Sequence, residues 1–183
     1  MKHTFFILII GVLLCSCGNI KKNPDGSIEY NYFYSDGTLK KQKSISQDST
    51  GTEIENWTYY YPNGNIKKEG ETKNNKSYGL WKFYYENGMI KSKTEFQNEI
   101  RHGETKYYWE NGKLQGEGTY KNGQLNDVWT AYHFNGQKER EGEMINGKEN
   151  GIWKIWTEKG ELQVTGEYDM GELINESYEV VSE

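Results

Sequence analysis

The sequence predicts an all-β fold, an elongated antiparallel array of about six β-hairpin repeats. Aromatic and polar residues alternate in short runs such as 81–85, with the period of two that a half-buried strand requires. One class of turn recurs every 24 residues, at Asn63-Gly64, Asn87-Gly88, Asn111-Gly112, Asn135-Gly136 and Lys159-Gly160. A fixed period of this length is typical of a repeat array, because a single hairpin cannot bury its apolar face without neighbours.

The first residues are typical of an export signal. A short basic head precedes the apolar run 5–14, which is too short to span a bilayer as a helix. The residues Leu-Cys-Ser-Cys-Gly at 14–18 resemble the bacterial lipobox, in which a small residue precedes a cysteine that becomes lipidated. We therefore expect residues 1–16 to be cleaved and Cys17 to carry the lipid, since Ser16 precedes it whereas Leu14 precedes Cys15. The alternative is an ordinary secretory signal.

The residue after Cys17 bears on the destination. Gly18 stands where an Asp would resemble a signal for retention in the inner membrane, so we expect delivery to the outer membrane of a bacterial envelope. The leaflet that the protein faces stays open.

Composition excludes several classes of function. The formal net charge is −5, and loss of residues 1–16 would remove one lysine and no acidic residue. Such a balance argues against a nucleic-acid partner, because phosphate neutralisation needs clustered Lys and Arg. Both cysteines lie at or before position 17, so the body of the chain has no thiol for a disulfide, a metal or nucleophilic catalysis.

The chain divides into five segments by this pattern. After the signal peptide at 1–16 we expect the lipidated cysteine and a polar tether at 17–29. Residues 30–56 resemble a degenerate hairpin and are predicted to cap the array. Five regular copies fill 57–176, and residues 177–183 form a tail or a last covering strand.

Register assigns the side chains to two faces. A two-residue type I′ turn at Asn63-Gly64, with positive φ at both residues, predicts three opposed pairs. These pairs are Tyr61 with Ile66, Tyr59 with Lys68 and Trp57 with Gly70. Their equivalents in the other copies form an aromatic core face, to which Phe96, Tyr120, Met144 and Tyr168 also belong by parity.

Large rings on the core face are expected to cover bare glycine backbone. The expected pairs are Trp57 with Gly70, Trp129 with Gly142 and Trp153 with Gly166. The pattern fails at Trp81, which is opposite Thr94.

The opposite face is mostly charged, but one position in it is aromatic in all five regular copies: Tyr60, Tyr84, Tyr108, Tyr132 and Trp156. With two strands per copy, these rings recur about every 10 Å along one stripe. This aromatic column is the candidate binding face, for a linear polymer or an extended peptide. The alternative is structural, because tyrosine forms strands well and its ring shields neighbouring backbone.

These residues carry a family resemblance. The recurring Gly-x-Trp-x-x-Tyr-Tyr-x-Asn-Gly, followed by Gly-Glu-Tyr and a second Asn-Gly, resembles the MORN repeat, and more closely its bacterial variant, over about 57–176. Thr105 in place of Trp, Asp127 in place of Gly and Lys138 in place of an aliphatic residue are departures. The resemblance implies a twisted antiparallel array that serves as an interaction scaffold. Bacterial members are often labelled as antitoxins of toxin–antitoxin systems, which a lipidated, exported chain fits poorly.

Catalysis has little support in this pattern. His102 and His133 occupy unlike positions in the repeat, and the paired carboxylates of Glu69-Gly70-Glu71 and Glu141-Gly142-Glu143 recur with the fold, whereas an active site is normally unique. We therefore expect no enzyme activity, no catalytic or metal-binding residues and no cofactor other than the lipid on Cys17. The sequence predicts a lipid-anchored scaffold that binds a protein or a polymer. The alternative is glycan or cell-wall binding through the aromatic column, and an envelope hydrolase is a third possibility.

Overall fold

The computed structural model describes residues 18–23 and 27–178, which form fourteen antiparallel strands in a single open sheet. The strand order in the sheet is the order in the chain, so each strand pairs with its sequence neighbours. The strands are β1 (Ile20–Lys22), β2 (Ile28–Phe33), β3 (Leu39–Gln47), β4 (Glu53–Tyr60), β5 (Ile66–Lys73), β6 (Lys76–Tyr84), β7 (Ile90–Gln97), β8 (Ile100–Tyr108), β9 (Leu114–Lys121), β10 (Gln124–Tyr132), β11 (Lys138–Ile145), β12 (Lys148–Trp156), β13 (Leu162–Asp169) and β14 (Glu172–Tyr178). The predicted all-β hairpin array is confirmed. No helix that could cross a membrane occurs in the ranges that the structure describes.

The turns that join the two strands within each copy differ from the prediction. They all lie at the same end of the strands, which we call the first edge. The amide of Tyr61 donates to the carbonyl of Asn65 at 2.8 Å, and the amide of Gly64 donates to the carbonyl of Tyr61 at 3.0 Å. Gly64 has a φ of +86°, whereas Asn63 does not have a positive φ. The loop is therefore a type I turn closed by a left-handed glycine that forms a bulge, and the predicted two-residue type I′ turn is wrong.

The bulge shifts the register at the tip of each hairpin. Tyr59 opposes Lys68 and Trp57 opposes Gly70, as predicted, but Ile66 pairs with Tyr60 and not with Tyr61. The same shift recurs in the other regular copies, so the predicted pairing is wrong only beside the turn.

Type I′ turns occur at the other end of the strands, which we call the second edge. Asn98 and Glu99 have φ values of +52° and +70°, and Asn122 and Gly123 have +53° and +84°. Each joins the return strand of one copy to the first strand of the next. The two edges therefore use different turns, although Asn-Gly occurs in both.

Tryptophan rings form the centre of the core face. Trp81 and Trp153 are buried, and they contact Phe96 and Tyr168 edge-on, with ring centroids 6.5 and 6.4 Å apart. Tyr120 and Met144 are also buried. The predicted composition of this face is therefore confirmed for these return-strand residues.

The rings cover different glycines from those expected. A Cβ atom built on Gly142 would lie 2.3 Å from Cδ2 of Trp153, and one built on Gly118 would lie 2.8 Å from Cε3 of Trp129. The corresponding distance at Gly70 is 2.3 Å, to Trp81. Each ring thus leans onto the preceding copy and not onto the glycine across its own hairpin, so it joins two copies together.

The ends of the array extend the sheet. Residues 30–56, the predicted cap, form β2, β3 and the start of β4, and β1 within the predicted tether pairs with β2. The signal peptide and Cys17 lie outside the described residues. Of the predicted C-terminal tail, Ser177 and Tyr178 end β14, and the rest lies outside the described residues.

Candidate functional site

The aromatic column lies on the face opposite the core face that holds Trp81 and Trp153. Lys82, two residues before Tyr84, lies on the same face, and Lys93 is its Cα partner on β7. The ammonium of Lys82 lies 3.0 Å from a carboxylate oxygen of Glu69. All five members of the column are half-buried: Tyr60, Tyr84, Tyr108, Tyr132 and Trp156. They are evenly spaced because each ends the first strand of its hairpin.

Three members of the column use their hydroxyl groups to contact the preceding copy. Tyr84 donates to Glu69 at 2.8 Å, and Tyr132 donates to Glu117 at 2.9 Å. Tyr60 lies 3.0 Å from the side-chain oxygen of Gln42 in the looser first copy. These bonds support the structural interpretation of the column.

The other two members contact cations through their rings. The ammonium of Lys93 lies 5.9 Å from the ring centroid of Tyr108, and that of Lys138 lies 5.7 Å from that of Trp156. Both distances suit a weak cation–π contact. Every member of the column therefore contacts the copy before it.

Protonation of these groups follows from the same contacts. Burial, together with the bond to Glu69, raises the pKa of Tyr84 to about 12, and burial with the bond to Glu117 does the same for Tyr132. Burial alone would raise the pKa of Glu69, but the hydrogen bonds from Tyr84 and Lys82 outweigh it and hold that pKa below its ordinary value. At neutral pH, Tyr84 and Tyr132 are consequently neutral phenols that donate hydrogen bonds to the ionised carboxylates of Glu69 and Glu117.

A second row of side chains, which the sequence pattern did not reveal, also joins the copies. Each member contacts the backbone carbonyl of the column residue in the next copy, 23 or 26 residues further on. Tyr61 donates to the carbonyl of Tyr84 at 2.9 Å, and Tyr85 donates to that of Tyr108 at 2.8 Å. The equivalent contacts join Tyr34 to Tyr60, Trp109 to Tyr132, and His133 to Trp156.

The sequence contains the residues of this row, but their shared role is recognisable only when all five copies are compared. The position reads Tyr, Tyr, Tyr, Trp and His, and all five carry a polar hydrogen-bonding group on a ring. His133 therefore has a structural contact, whereas His102 is exposed on β8. Within the described ranges, no group of three or more His, Cys, Asp or Glu side chains is placed to hold a metal ion.

Comparison with known proteins gives one family. Four segments match the family described as the MORN repeat variant, at residues 56–74, 78–98, 101–122 and 149–170. No curated protein matches the chain. The copy that contains Asn135-Gly136 lies outside the matched segments, yet β10 and β11 pair in the same register, with Trp129 opposite Gly142. Four of the hairpin copies therefore match the MORN repeat variant, and they lie in one continuous antiparallel sheet.

Proposed function

We propose that the protein is a non-catalytic scaffold, anchored by lipid in a bacterial envelope, that binds a protein or a polymer along its repeated surface. The observation that carries the proposal is the single-layer sheet, in which equivalent side chains recur copy after copy on two faces. Matches to the MORN repeat variant indicate a β-repeat scaffold or binding role. An extended array offers one partner several equivalent contacts, which raises its overall affinity.

Anchoring is the second part of the proposal. The support is the sequence 14–18, with Ser16 before Cys17, together with the short apolar run that precedes it. Outer-membrane delivery is proposed from Gly18. A covalent lipid would hold one end of the sheet at the bilayer and leave the copies free to reach a partner.

Glycan binding through the aromatic column is the alternative function. Its support is the regular spacing of five half-buried rings, since flat ring faces suit sugar rings. The hydroxyl contacts of Tyr84 and Tyr132 favour a bracing role for the same residues. We therefore propose the scaffold role first and make the glycan an outcome of its test.

The test is site-directed photocrosslinking of the full chain in its native cells. A photoreactive residue replaces Lys82, Lys106 or Lys154, which share one repeat position on the polar face. Capture of the same protein or polymer at all three positions is the expected result. Absence of any crosslink at every position would overturn the scaffold role, and a captured glycan would favour the alternative.

A matched variant tests the anchor in the same cells. Cys17→Ser should abolish palmitate labelling and release the protein from membranes, while the sheet stays folded because Cys17 precedes the first strand. Palmitate labelling that persists in this variant would overturn the assignment of Cys17.

A further inference from the structure

A groove on the core face combines positive charge with aromatic rings. It has a volume of about 460 Å³, and its lining residues lie on the strands β5, β6, β7 and β8 and at Tyr61, in the turn before β5. Four of its lining residues are cations: Lys67, Lys68, Lys91 and Arg101. Five others are aromatic: Tyr61, Phe83, Tyr84, Phe96 and Tyr107. No Asp or Glu is among the described residues that line it, although the chain as a whole is acidic.

The cations of this groove have rings, not carboxylates, as neighbours. The ammonium of Lys67 lies 5.4 Å from the ring centroid of Tyr61, and that of Lys68 lies 4.4 Å from that of Tyr59. Lys91 is similarly placed over Tyr85, at 5.5 Å. Among the described residues, the six ion pairs are formed by other side chains.

The positive charges of Lys67 and Lys68 also repel one another, since no carboxylate among the described residues lies between them. Burial, and then the neighbouring Lys67, lower the pKa of Lys68 below its ordinary value. An anion in the groove would relieve this repulsion. The free groove is thus suited to a negatively charged ligand.

A second hollow on the same face has the same architecture with different charge. It measures about 400 Å³ and is lined by Tyr107, Trp109, Tyr120 and Trp129, with Gln115 and Glu139 at the positions of Lys67 and Lys91. Residues at this repeat position run Lys40, Lys67, Lys91, Gln115, Glu139 and Gln163 along the chain. Positive charge therefore belongs to the N-terminal half of the array and is not required by the fold.

We propose that this groove binds a segment of an anionic polysaccharide. Carboxylates of uronic-acid type would pair with Lys67, Lys68, Lys91 and Arg101, and the apolar faces of the sugar rings would stack on the aromatic side chains. A peptide fits less well, because the backbone groups of β5, β6 and β7 are already used in strand pairing and leave no ladder for its amides. The volume is within the range of ordinary ligand sites. The site deepens the proposed scaffold role, and Tyr84 is the one member of the aromatic column that lines it.

The test is calorimetric titration of the full chain with oligogalacturonate, with its neutral methyl ester and with a polyglutamate peptide of equal charge. We expect binding of oligogalacturonate alone, with an affinity that falls as salt rises. Lys67→Gln combined with Lys91→Gln should weaken it at least tenfold. The control removes two cations elsewhere, Lys121→Gln with Lys148→Gln, and should bind as the unchanged chain does.

Thermal unfolding of both double variants checks that the sheet is intact. No binding of oligogalacturonate, equal binding of its methyl ester, or equal binding of polyglutamate would each overturn the proposal. An equal loss of binding in the control variant would also overturn it, since the effect would then be one of net charge. None of these results would touch the scaffold role, which is tested by crosslinking from the opposite face.

Discussion

At the scale of single residues, neighbouring copies are joined by pairs of side chains eleven positions apart. Three of the pairs combine glycine with tryptophan: Gly70 with Trp81, Gly118 with Trp129, and Gly142 with Trp153. In the remaining pair both members are threonine. The hydroxyl oxygens of Thr94 and Thr105 are 2.8 Å apart, and Thr105 is 1% exposed. Where the ring is missing, the glycine that it would cover is missing too.

This pairing predicts a strong coupling between Thr94 and Thr105. Thr105→Trp should lower the free energy of unfolding by about 1–3 kcal/mol, because the ring would meet the Cβ of Thr94. Adding Thr94→Gly should restore much of that loss, with a coupling energy of about 1 kcal/mol or more. Urea unfolding of the four proteins of this double-mutant cycle measures it.

The control for this cycle combines Thr105→Trp with Thr165→Gly, a change on the distant strand β13. These two effects should add to within about 0.5 kcal/mol. If the Thr94 and Thr105 changes were equally additive, the two positions would not form a unit.

The faces could be predicted at this scale, but the contacts of the rings could not. Alternation by two places Trp153 and Tyr84 on opposite faces, and the structure agrees. It does not say whether a ring leans along the sheet towards its own hairpin or towards the preceding copy. β12 places three residues, 151–153, opposite the single residue Gly142, which makes a β-bulge in which Gly151 has a φ of +67°. This bulge decides the direction in which Trp153 leans, and the 24-residue period does not predict it.

At the scale of elements, the two rows of turns join the copies in different ways. At the first edge, side chains reach forward: the amide group of Asn63 donates to the carbonyl of Glu86. At the second edge, the backbone reaches back: the amide of Gly123 donates to the carbonyl of Arg101 at 2.9 Å. The dipeptide Asn-Gly serves both types. Pro62 was the available signal for the type I turn, since its fixed φ suits the position before Asn63.

Glu99 is a strained member of the second row of turns, in which Asn75 is the other residue with a side chain at the same place. Its φ is +70°, whereas Gly123, Gly147 and Gly171 hold the same place in later turns. Because a left-handed conformation costs a side-chain-bearing residue about 1–2 kcal/mol, Glu99→Gly should raise the free energy of unfolding by roughly 0.5–1 kcal/mol after the added freedom of the unfolded chain is counted. Urea unfolding midpoints measure the change.

The reverse exchange, Gly123→Glu, serves as the matched control and should be destabilising. The strain argument would fail if Glu99→Gly left stability unchanged or reduced it. The backbone bond from position 99 to the carbonyl of Ser77 needs no side chain and should survive the exchange.

At the scale of the whole molecule, stability is built from contacts between neighbours. Each strand pairs only with its neighbours in the described sheet, and the cross-copy bonds reach one copy along. Such a molecule behaves as a one-dimensional chain of units, to which each copy adds its own stability and that of one interface. The period in the sequence was sufficient to predict this property, because it fixes both the unit and its neighbours.

Removal of one copy should therefore shorten the sheet without unfolding it. Deletion of residues 125–148 leaves Gly118 facing Trp153, so the glycine–tryptophan pair is kept. We expect an intact β-sheet by circular dichroism and a smaller urea m-value, since less surface is exposed on unfolding.

Deletion of residues 101–124 is the matched comparison, as it removes the same length but brings Thr94 against Trp129. It should give a less stable protein than the first deletion. Equal stability of the two shortened chains would show that the pairs between copies do not govern how the copies fit together.

The strictly sequential strand order has a mechanical consequence. Tension applied between the two ends of the sheet would act along its hydrogen bonds, so strands would separate one after another from an end, as a zipper opens. Each copy of 24 residues that peels away would release roughly 80 Å of extended chain. A molecule held at one end and loaded at the other would therefore lengthen in near-equal steps under modest force, and each step would leave the remaining copies paired and able to rezip when the load falls.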